Sequence, residues 1–435
     1  MNILYIFADQ MCHDALSCMG NPYVKTPELD KLAARGVVFE QATCAQPLCT
    51  PSRATMISGV MPHNHGVTTN RSDTFAPDFV EGIKSGRWSS MGKLFHEGGY
   101  RTGYFGKWHT PIPQDDQATH GFDRLMHIRD HQITRCFSQW LDESEDEFFG
   151  VLSFNNPHNI CEFANGTPLP DADLPSLPSL AECPPLPENF EIPDEEPGWI
   201  REFQRRRAAF YIAPGYDKDQ WRIYLWAYYR LCEAMDAQVG RVMAALRVQG
   251  VVENTLIVFA SDHGEGLASH RWAQKQVFYE RSIRVPFFVC PPENVGKFQG
   301  RRESQLVNAG LDILPTLLAY AGIDAPECLE GRELRSAVEG VSTSAPLFVV
   351  CETDFTGGQE SYGAGGRMIR TDRYKYVVYT PHEMSDIHEQ FFDLKEDPGE
   401  MKNLINCPSM QETIEEHRAH LQGWQEIHHD NWNAV

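Results

Sequence analysis

Two segments far apart in the chain share one design, and that design restricts the fold. Asn2-Ile3-Leu4-Tyr5-Ile6-Phe7-Ala8-Asp9-Gln10 runs apolar for the length of a strand and stops at a carboxylate. Thr255-Leu256-Ile257-Val258-Phe259-Ala260-Ser261-Asp262-His263-Gly264-Glu265 does the same. A short, continuous apolar run of this kind reads as a parallel strand buried on both faces. Open α/β sheets place ligands outside the carboxyl ends of their strands, so the two acidic tips are expected at one edge. Asp9, the Gln10 carbonyl and Asp262 would offer oxygen donors to a hard divalent cation, and His263 a nitrogen. Each aspartate alone reads as a helix cap or turn residue; the pairing favours metal.

Between and after these strands the pattern alternates. Strand Ile3–Phe7, helix Glu28–Arg35, strand Val37–Glu40, helices Ser52–Ser58 and Ser90–Glu97, and strand Arg101–Phe105 describe a sheet layered by helices. A polar, proline-rich stretch from about 166 to 198 reads as a surface insertion, either a linker or a wall over a cleft. From Asp217 to Val248 a stripe of Trp221, Tyr224, Leu225, Tyr228, Leu231, Cys232 and Met235 at three- and four-residue spacing predicts a long core helix. Asp236 and Arg241 on it are expected to be structural. Strand Val285–Cys290 and helix Leu311–Tyr320 complete a first unit. Pro346–Cys351 and Arg367–Tyr379 read as strands, and a helix near Met410–Trp424 closes the chain. With 435 residues and 42% hydrophobic content, one large and one smaller unit are expected, divided at 1–345 and 346–435.

Four further segments carry chemistry. Cys49-Thr50-Pro51-Ser52-Arg53 would, on a plain reading, be a loop cysteine before a helix, with Pro51 in its first turn and Ser52 as cap. Gly103-Tyr104-Phe105-Gly106-Lys107-Trp108-His109 ends a strand in Lys-x-His, which sends both groups to one side of an extended chain. Phe154-Asn155-Asn156-Pro157-His158-Asn159 follows the apolar run Phe149–Ser153. Ser269-His270-Arg271-Trp272-Ala273-Gln274-Lys275 follows Asp-His-Gly. The C-x-P-S-R pattern resembles the signature of the type I sulfatases, and the order of the other segments along the chain matches that family as well.

The resemblance covers nearly the whole chain and implies an alkaline-phosphatase-like α/β sandwich. Its mostly parallel central sheet would be flanked by helices, with a smaller C-terminal antiparallel-sheet subdomain. It also implies that Cys49 is oxidised by a maturation enzyme to Cα-formylglycine, whose hydrate attacks a sulfate ester and later expels sulfate by elimination. Carried over residue by residue, Asp9, Gln10, Asp262 and His263 would hold calcium, with manganese or zinc as alternatives because imidazole suits them. Gln10 and His263 stand where many members have a second Asp and an Asn. Arg53, Lys107 and Lys275 would supply the positive field for the sulfate oxygens. His158 would protonate the departing alcohol and His109 take a proton in the second step. Asn70, Arg71, Asn159, His270, Arg271 and Trp272 are candidates for substrate contact, the last three as a cation-and-ring platform suited to a sugar. The expected activity is sulfate monoester hydrolysis on a carbohydrate. The alternatives are a phosphonate or phosphate ester hydrolase, a small aryl or alkyl sulfatase, and a non-catalytic binding protein on the same fold.

A formal charge of −22 argues against nucleic acid and anionic membranes as partners. It also opposes long-range attraction of an anionic substrate, so the positive patch must be local; screening acts over about 8 Å. The 12 cysteines are scattered without paired metal-ligand spacing and read mostly as free thiols. No basic n-region precedes the first strand, so a cytoplasmic location is expected, with an exported form as the alternative.

Overall fold

The computed structural model describes residues 1–432 apart from 74–75, 172, 208–214, 293–297, 299, 342–343, 358–359 and 382–387. Among these residues twelve strands form two sheets: β1 Asn2–Asp9, β2 Val37–Thr43, β3 Arg101–Gly106, β4 Arg124–Met126, β5 Phe148–Pro157, β6 Thr255–Ser261, β7 Phe287–Cys290, β8 Arg301–Asn308, β9 Val349–Gly357, β10 Glu360–Arg370, β11 Tyr374–Tyr379 and β12 Glu389–Asp393. The first eight lie in the order β4-β3-β5-β1-β6-β7-β2-β8. Only β7 runs against its neighbours, β6 and β2; the other pairs are parallel.

β1 is the middle of this sheet, and its eight residues are all buried. Ile3, Tyr5 and Phe7 enter one core layer while Leu4, Ile6 and Ala8 enter the other, so helices must cover both faces. One layer holds the 31-residue helix Lys218–Val248, which presents Trp221, Tyr224, Leu225 and Tyr228 to the sheet. Asp217 caps it by accepting from the Gln220 amide at 2.8 Å. Asp236 has the structural role expected of it. Its carboxylate accepts from the amides of Glu28 and Leu29, capping a different helix, Pro27–Arg35. On the opposite face Ala54, Met56 and Ile57 of helix Cys49–Ser58 pack with Ile313, Leu314 and Leu317 of helix Ala309–Ala321.

Register decides where the chemistry sits. Ala8 pairs with Ser261, Asp9 with Pro157, and Gly106 with Ser153. The residues that follow β1, β3, β5 and β6 therefore leave the sheet at one edge. Gly106 belongs there because a Cβ on it would stand 2.0 Å from the Ser153 carbonyl oxygen, and its φ is +113°.

The second sheet is antiparallel, in the order β12-β11-β10-β9, and helix Gln411–His428 buries Ile414 and Leu421 against it. The single strand read over Arg367–Tyr379 is two: β10 ends at Arg370 and β11 begins at Tyr374. Thr371-Asp372-Arg373 makes the turn, closed by the Thr371 amide on the Tyr374 carbonyl at 2.9 Å. The proline-rich insertion is irregular apart from the single 3-10 turn Leu180–Glu182. It is fastened rather than loose. Arg222 of the long helix donates to the carbonyls of Cys183 and Pro184, and Asn189 to that of Gly399.

Candidate active site

Helix Cys49–Ser58 begins three residues earlier than the capping pattern suggested, so Cys49 opens its first turn and is fully buried. Ser52 is not its cap. Its hydroxyl donates 2.6 Å to the Asp262 carbonyl and pins the helix to the tip of β6. Cys49 is thus held at the positive end of a helix, where a negative charge is stabilised.

Four groups, Asp9, Cys49, Asp262 and His263, bring one donor atom each within 4.8 Å of one another. Arg53, one turn along the helix, ties them together. It donates to Asp262 Oδ2 at 2.9 Å, to Asp9 Oδ2 at 2.8 Å, and to the Lys107 carbonyl and Ser153 Oγ at 2.8 and 2.9 Å. Lys107 Nζ takes Asp9 Oδ2 as well, at 2.8 Å. The two Oδ2 atoms are therefore committed to cations. The Oδ1 atoms of Asp9 and Asp262 instead face His263 Nε2, at 3.9 and 3.6 Å. His263 Nδ1 lies 2.8 Å from the Gly264 carbonyl, which can only accept, so that nitrogen carries a proton and Nε2 is the one left to face a cation. Two carboxylate oxygens, an imidazole nitrogen and the residue-49 side chain form a donor set that fits a divalent cation.

Electrostatics follow from this packing. Burial alone would raise the Asp9 pKa, but Lys107, His158, Arg53 and Lys275 override it and hold the carboxyl well below the usual range. Asp262 is pushed up to about 6 by burial and then by Asp9, against the opposing pull of His263 and Arg53. Cys49 falls well below an ordinary thiol. Burial and Asp9 oppose this, and Lys275, Lys107 and His263 prevail. Lys275 Nζ stands 3.1 Å from Cys49 Sγ. His158 lies against Cys49 too, and burial, Lys107 and Lys275 press its pKa down to about 4. Its Nδ1 is 3.9 Å from Glu162 Oε2. His109 follows Lys107 by two residues, half-buried in left-handed backbone at φ 48°.

The remaining candidates divide. Asn70 accepts from the Thr50 amide at 3.1 Å and so borders the cysteine turn, with Arg71 exposed next to it. Asn159 is buried and accepts from Asn155 at 2.7 Å, in the turn that carries His158. His270, Arg271 and Trp272 do not form the expected platform. His270 is buried and stacked on Tyr279 at 3.9 Å, Arg271 leans over Phe190 and pairs with Glu191, and Trp272 is a core side chain beside Phe203. Short local spacing puts these residues on different sides of a tightly wound segment with left-handed backbone at His270 and Arg271. Gln10 also departs from the expected ligand set. Its backbone carbonyl accepts from Tyr228 at 2.7 Å and its side-chain carbonyl from Lys275 at 2.6 Å.

Several residues that shape the site were not singled out from the sequence. Ser153 donates to the Lys107 carbonyl at 2.7 Å while receiving Arg53. Asp130 accepts from the consecutive amides of Asn155 and Asn156, at 2.6 and 2.9 Å, and fixes the turn before His158. Glu265, at the end of Asp-His-Gly-Glu, binds the Gln10 amide. Its signal was an acid in a motif, without a direction.

Residues 1–323 match the sulfatase family, and residues 268–426 match the C-terminal region of N-sulphoglucosamine sulphohydrolase. The chain belongs to the sulfatase family. It is a sulfuric ester hydrolase of the alkaline-phosphatase-like superfamily. A Δ4,5-hexuronate-2-O-sulfatase of Bacteroides thetaiotaomicron is 29% identical over 100% of this chain and 90% of its own length. An ulvan-active sulfatase of Formosa agariphila is 31% identical over 94% of this chain and 78% of its own. A solved 2-O GAG sulfatase superposes with a TM-score of 0.86 at 30% identity, covering 100% of this chain and 94% of that one. Formylglycine and a metal ion are general to this family.

Proposed function

We propose that this sulfatase removes sulfate from a saccharide, with Cys49 as the residue matured to formylglycine and calcium as its metal. The observation that carries the reading is the convergence on Cys49. Lys275 reaches this buried side chain at the start of a helix directly, Arg53 and Lys107 hold the neighbouring Asp9, and Asp9, Asp262 and His263 complete the cluster around it. The sugar class rests on the relatives, a hexuronate sulfatase and an ulvan-active sulfatase. Manganese and zinc are the alternative metals, because His263 contributes nitrogen where oxygen suits calcium.

When present, formylglycine supplies the oxygen nucleophile that a thiol lacks, and the cation lowers the proton affinity of oxygens bound to it. A maturation enzyme acting on Cys49 would have to install the former. The chain's own residues do the rest. Lys107 and Lys275 flank residue 49 and bind the non-bridging sulfate oxygens. Arg53 keeps Asp9 and Asp262 ionised and aimed. Burial first, and the two lysines that face it second, hold His158 on the neutral side in the resting site. A sulfate anion seated between those lysines cancels their field, raises the proton affinity of His158, and lets it deliver a proton to the leaving alcohol. His109 serves the later proton removal. Asn70, Arg71 and Asn159 border the place where the sugar would sit.

The test is a panel of sulfated mono- and oligosaccharides, an aryl sulfate and a phosphonate monoester, with enzyme co-expressed with a formylglycine-generating enzyme. Free sulfate released fastest from a saccharide supports the reading. Faster turnover of the phosphonate or of the aryl sulfate refutes the sugar assignment.

A further inference from the structure

We propose that Gln10 and Glu265 are positioning residues: a buried amide–carboxylate relay that aims the Lys275 ammonium at residue 49. The inference rests on the reading of Lys275 as a sulfate-binding cation.

The relay is a continuous chain of short contacts. Tyr224 Oη donates to Glu265 Oε1 at 2.8 Å, and the Gln274 amide donates to the same oxygen at 2.5 Å. Glu265 Oε2 accepts from Gln10 Nε2 at 2.5 Å, and Gln10 Oε1 accepts from Lys275 Nζ at 2.6 Å. Lys275 Nζ then reaches Cys49 Sγ at 3.1 Å. Gln10 and Glu265 have no exposed surface, and Lys275 retains 3%. The orientation of the Gln10 amide is dictated by chemistry. A carboxylate can only accept and an ammonium can only donate, so nitrogen faces Glu265 and oxygen faces Lys275. The backbone is fixed as well: Gln10 sits at φ 72°, its amide on Asp262 Oδ1 at 3.0 Å and its carbonyl under Tyr228 at 2.7 Å.

A lysine has four rotatable bonds, and an ammonium is a point charge without directional preference. Unguided, Lys275 would pair with the nearest carboxylate. The amide keeps Glu265 one residue away from it, so Lys275 is oriented by a neutral carbonyl, with its ammonium turned toward residue 49. A carboxylate at position 10 would abolish that arrangement, because it would meet Glu265 across 2.5 Å.

Three variants separate this from a structural role: Gln10→Glu, Glu265→Gln, and the two combined. Each is measured for inorganic sulfate affinity by calorimetry, for metal content, for melting temperature, and for kcat/KM. Gln10→Glu should weaken sulfate binding and lower kcat/KM about 10- to 100-fold, the range seen for supporting partners of a site, with metal content unchanged. Glu265→Gln should do so less. The double variant should restore the hydrogen-bond chain but pair Lys275 with a carboxylate, so its sulfate affinity should exceed that of Gln10→Glu and stay below that of wild type. The new acid at position 10 accepts from Lys275 and from the new amide at position 265, whose oxygen still accepts from Tyr224 and Gln274. Sulfate affinity equal to wild type in both single variants would overturn the relay. So would a double variant no better than the worse single one at equal melting temperature. Metal loss confined to Gln10→Glu would make Gln10 a ligand instead. A wild type that does not bind inorganic sulfate overturns the reading of Lys275 itself, and this inference with it.

Discussion

Among the described residues, two places gather metal-binding donor atoms within 4.8 Å: Asp9, Cys49, Asp262 and His263 at the edge of the large sheet, and His63, Glu352 and Asp430 beside β9 of the small one. They differ in what already occupies the donors. At the second, Arg367 donates to Glu352 Oε2 at 3.1 Å and to both oxygens of Asp430 at 2.9 and 2.7 Å. His63 Nδ1 faces Glu352 at 3.1 Å, and Nε2 faces the His428 carbonyl at 3.1 Å. Both ring nitrogens meet acceptors, so both carry protons and no lone pair remains for a cation. In these direct contacts two carboxylates meet a guanidinium and an imidazolium, and the charges balance. At the first, His263 Nε2 is turned to Cys49 Sγ at 3.3 Å and to the two Oδ1 atoms, the groups that could share a cation with it, and three cations stand against two carboxylates. Proximity of metal-binding residue types is therefore a poor guide. Unbalanced charge, with donor atoms turned toward one another, distinguishes a site that receives a cation and an anion from one that merely clamps packed elements.

The largest effect should break the first cluster at its centre. Cys49→Ala should lose turnover by roughly 10⁴-fold or more, as removal of a nucleophile does, while binding the metal with somewhat reduced affinity. Peptide mass analysis of the matured wild type should show an aldehyde at residue 49. Full activity of the alanine variant would remove Cys49 from the chemistry. Asp262→Ala comes next. It deletes a candidate ligand oxygen and a partner of Arg53 together, so elemental analysis should find metal occupancy and activity falling in parallel. Unchanged occupancy would move the cation elsewhere.

His158→Ala should be milder and depend on substrate. General acid assistance contributes about 10²–10⁴-fold, most where the leaving group is a poor one. The loss should be large for a sugar sulfate and small for an activated aryl sulfate, whose phenolate departs unaided. Equal losses on both would assign His158 to binding and leave Lys275 as the proton donor.

What could be read in advance followed from chain-local physics. The apolar runs of β1 and β6 specify buried parallel strands, and parallel register then forces Asp9 and Asp262 to one edge. The stripe from Trp221 to Met235 specifies a core helix. Side-chain direction was harder. Gln10 looks like a ligand beside Asp9, yet its amide is claimed by Glu265, 255 residues away. Trp272 looks like an exposed ring beside Arg271, but Phe203 covers it from a distant helix. The start of the helix at Cys49 was obscured because Pro51 is tolerated anywhere in a first turn, where amides lack intrahelical partners. Thr371-Asp372-Arg373 hides a hairpin inside a strand-like run, since three residues suffice to reverse it.

The second cluster should respond in stability rather than chemistry. Arg367→Met leaves Glu352 and Asp430 buried without their cation and should cost about 3 kcal/mol in denaturant unfolding, with metal content and low-temperature turnover retained. Loss of metal without loss of stability would reverse the roles of the two clusters. The smallest effect is the pH dependence of His63. Burial alone would lower its pKa, but the Glu352 carboxylate overrides burial and raises it above the ordinary value. A folded-state pKa above the unfolded one means that the folded protein holds this proton more tightly. The resulting stabilisation is complete below the unfolded pKa of about 6.5 and is lost as pH rises through the folded value. His63→Gln keeps a donor toward Glu352 but no titration. The melting-temperature gap between wild type and His63→Gln should therefore be widest near pH 6 and narrow toward pH 9. A gap that is constant or grows with pH would show that His63 is neutral in the fold and that Arg367 alone balances the two carboxylates.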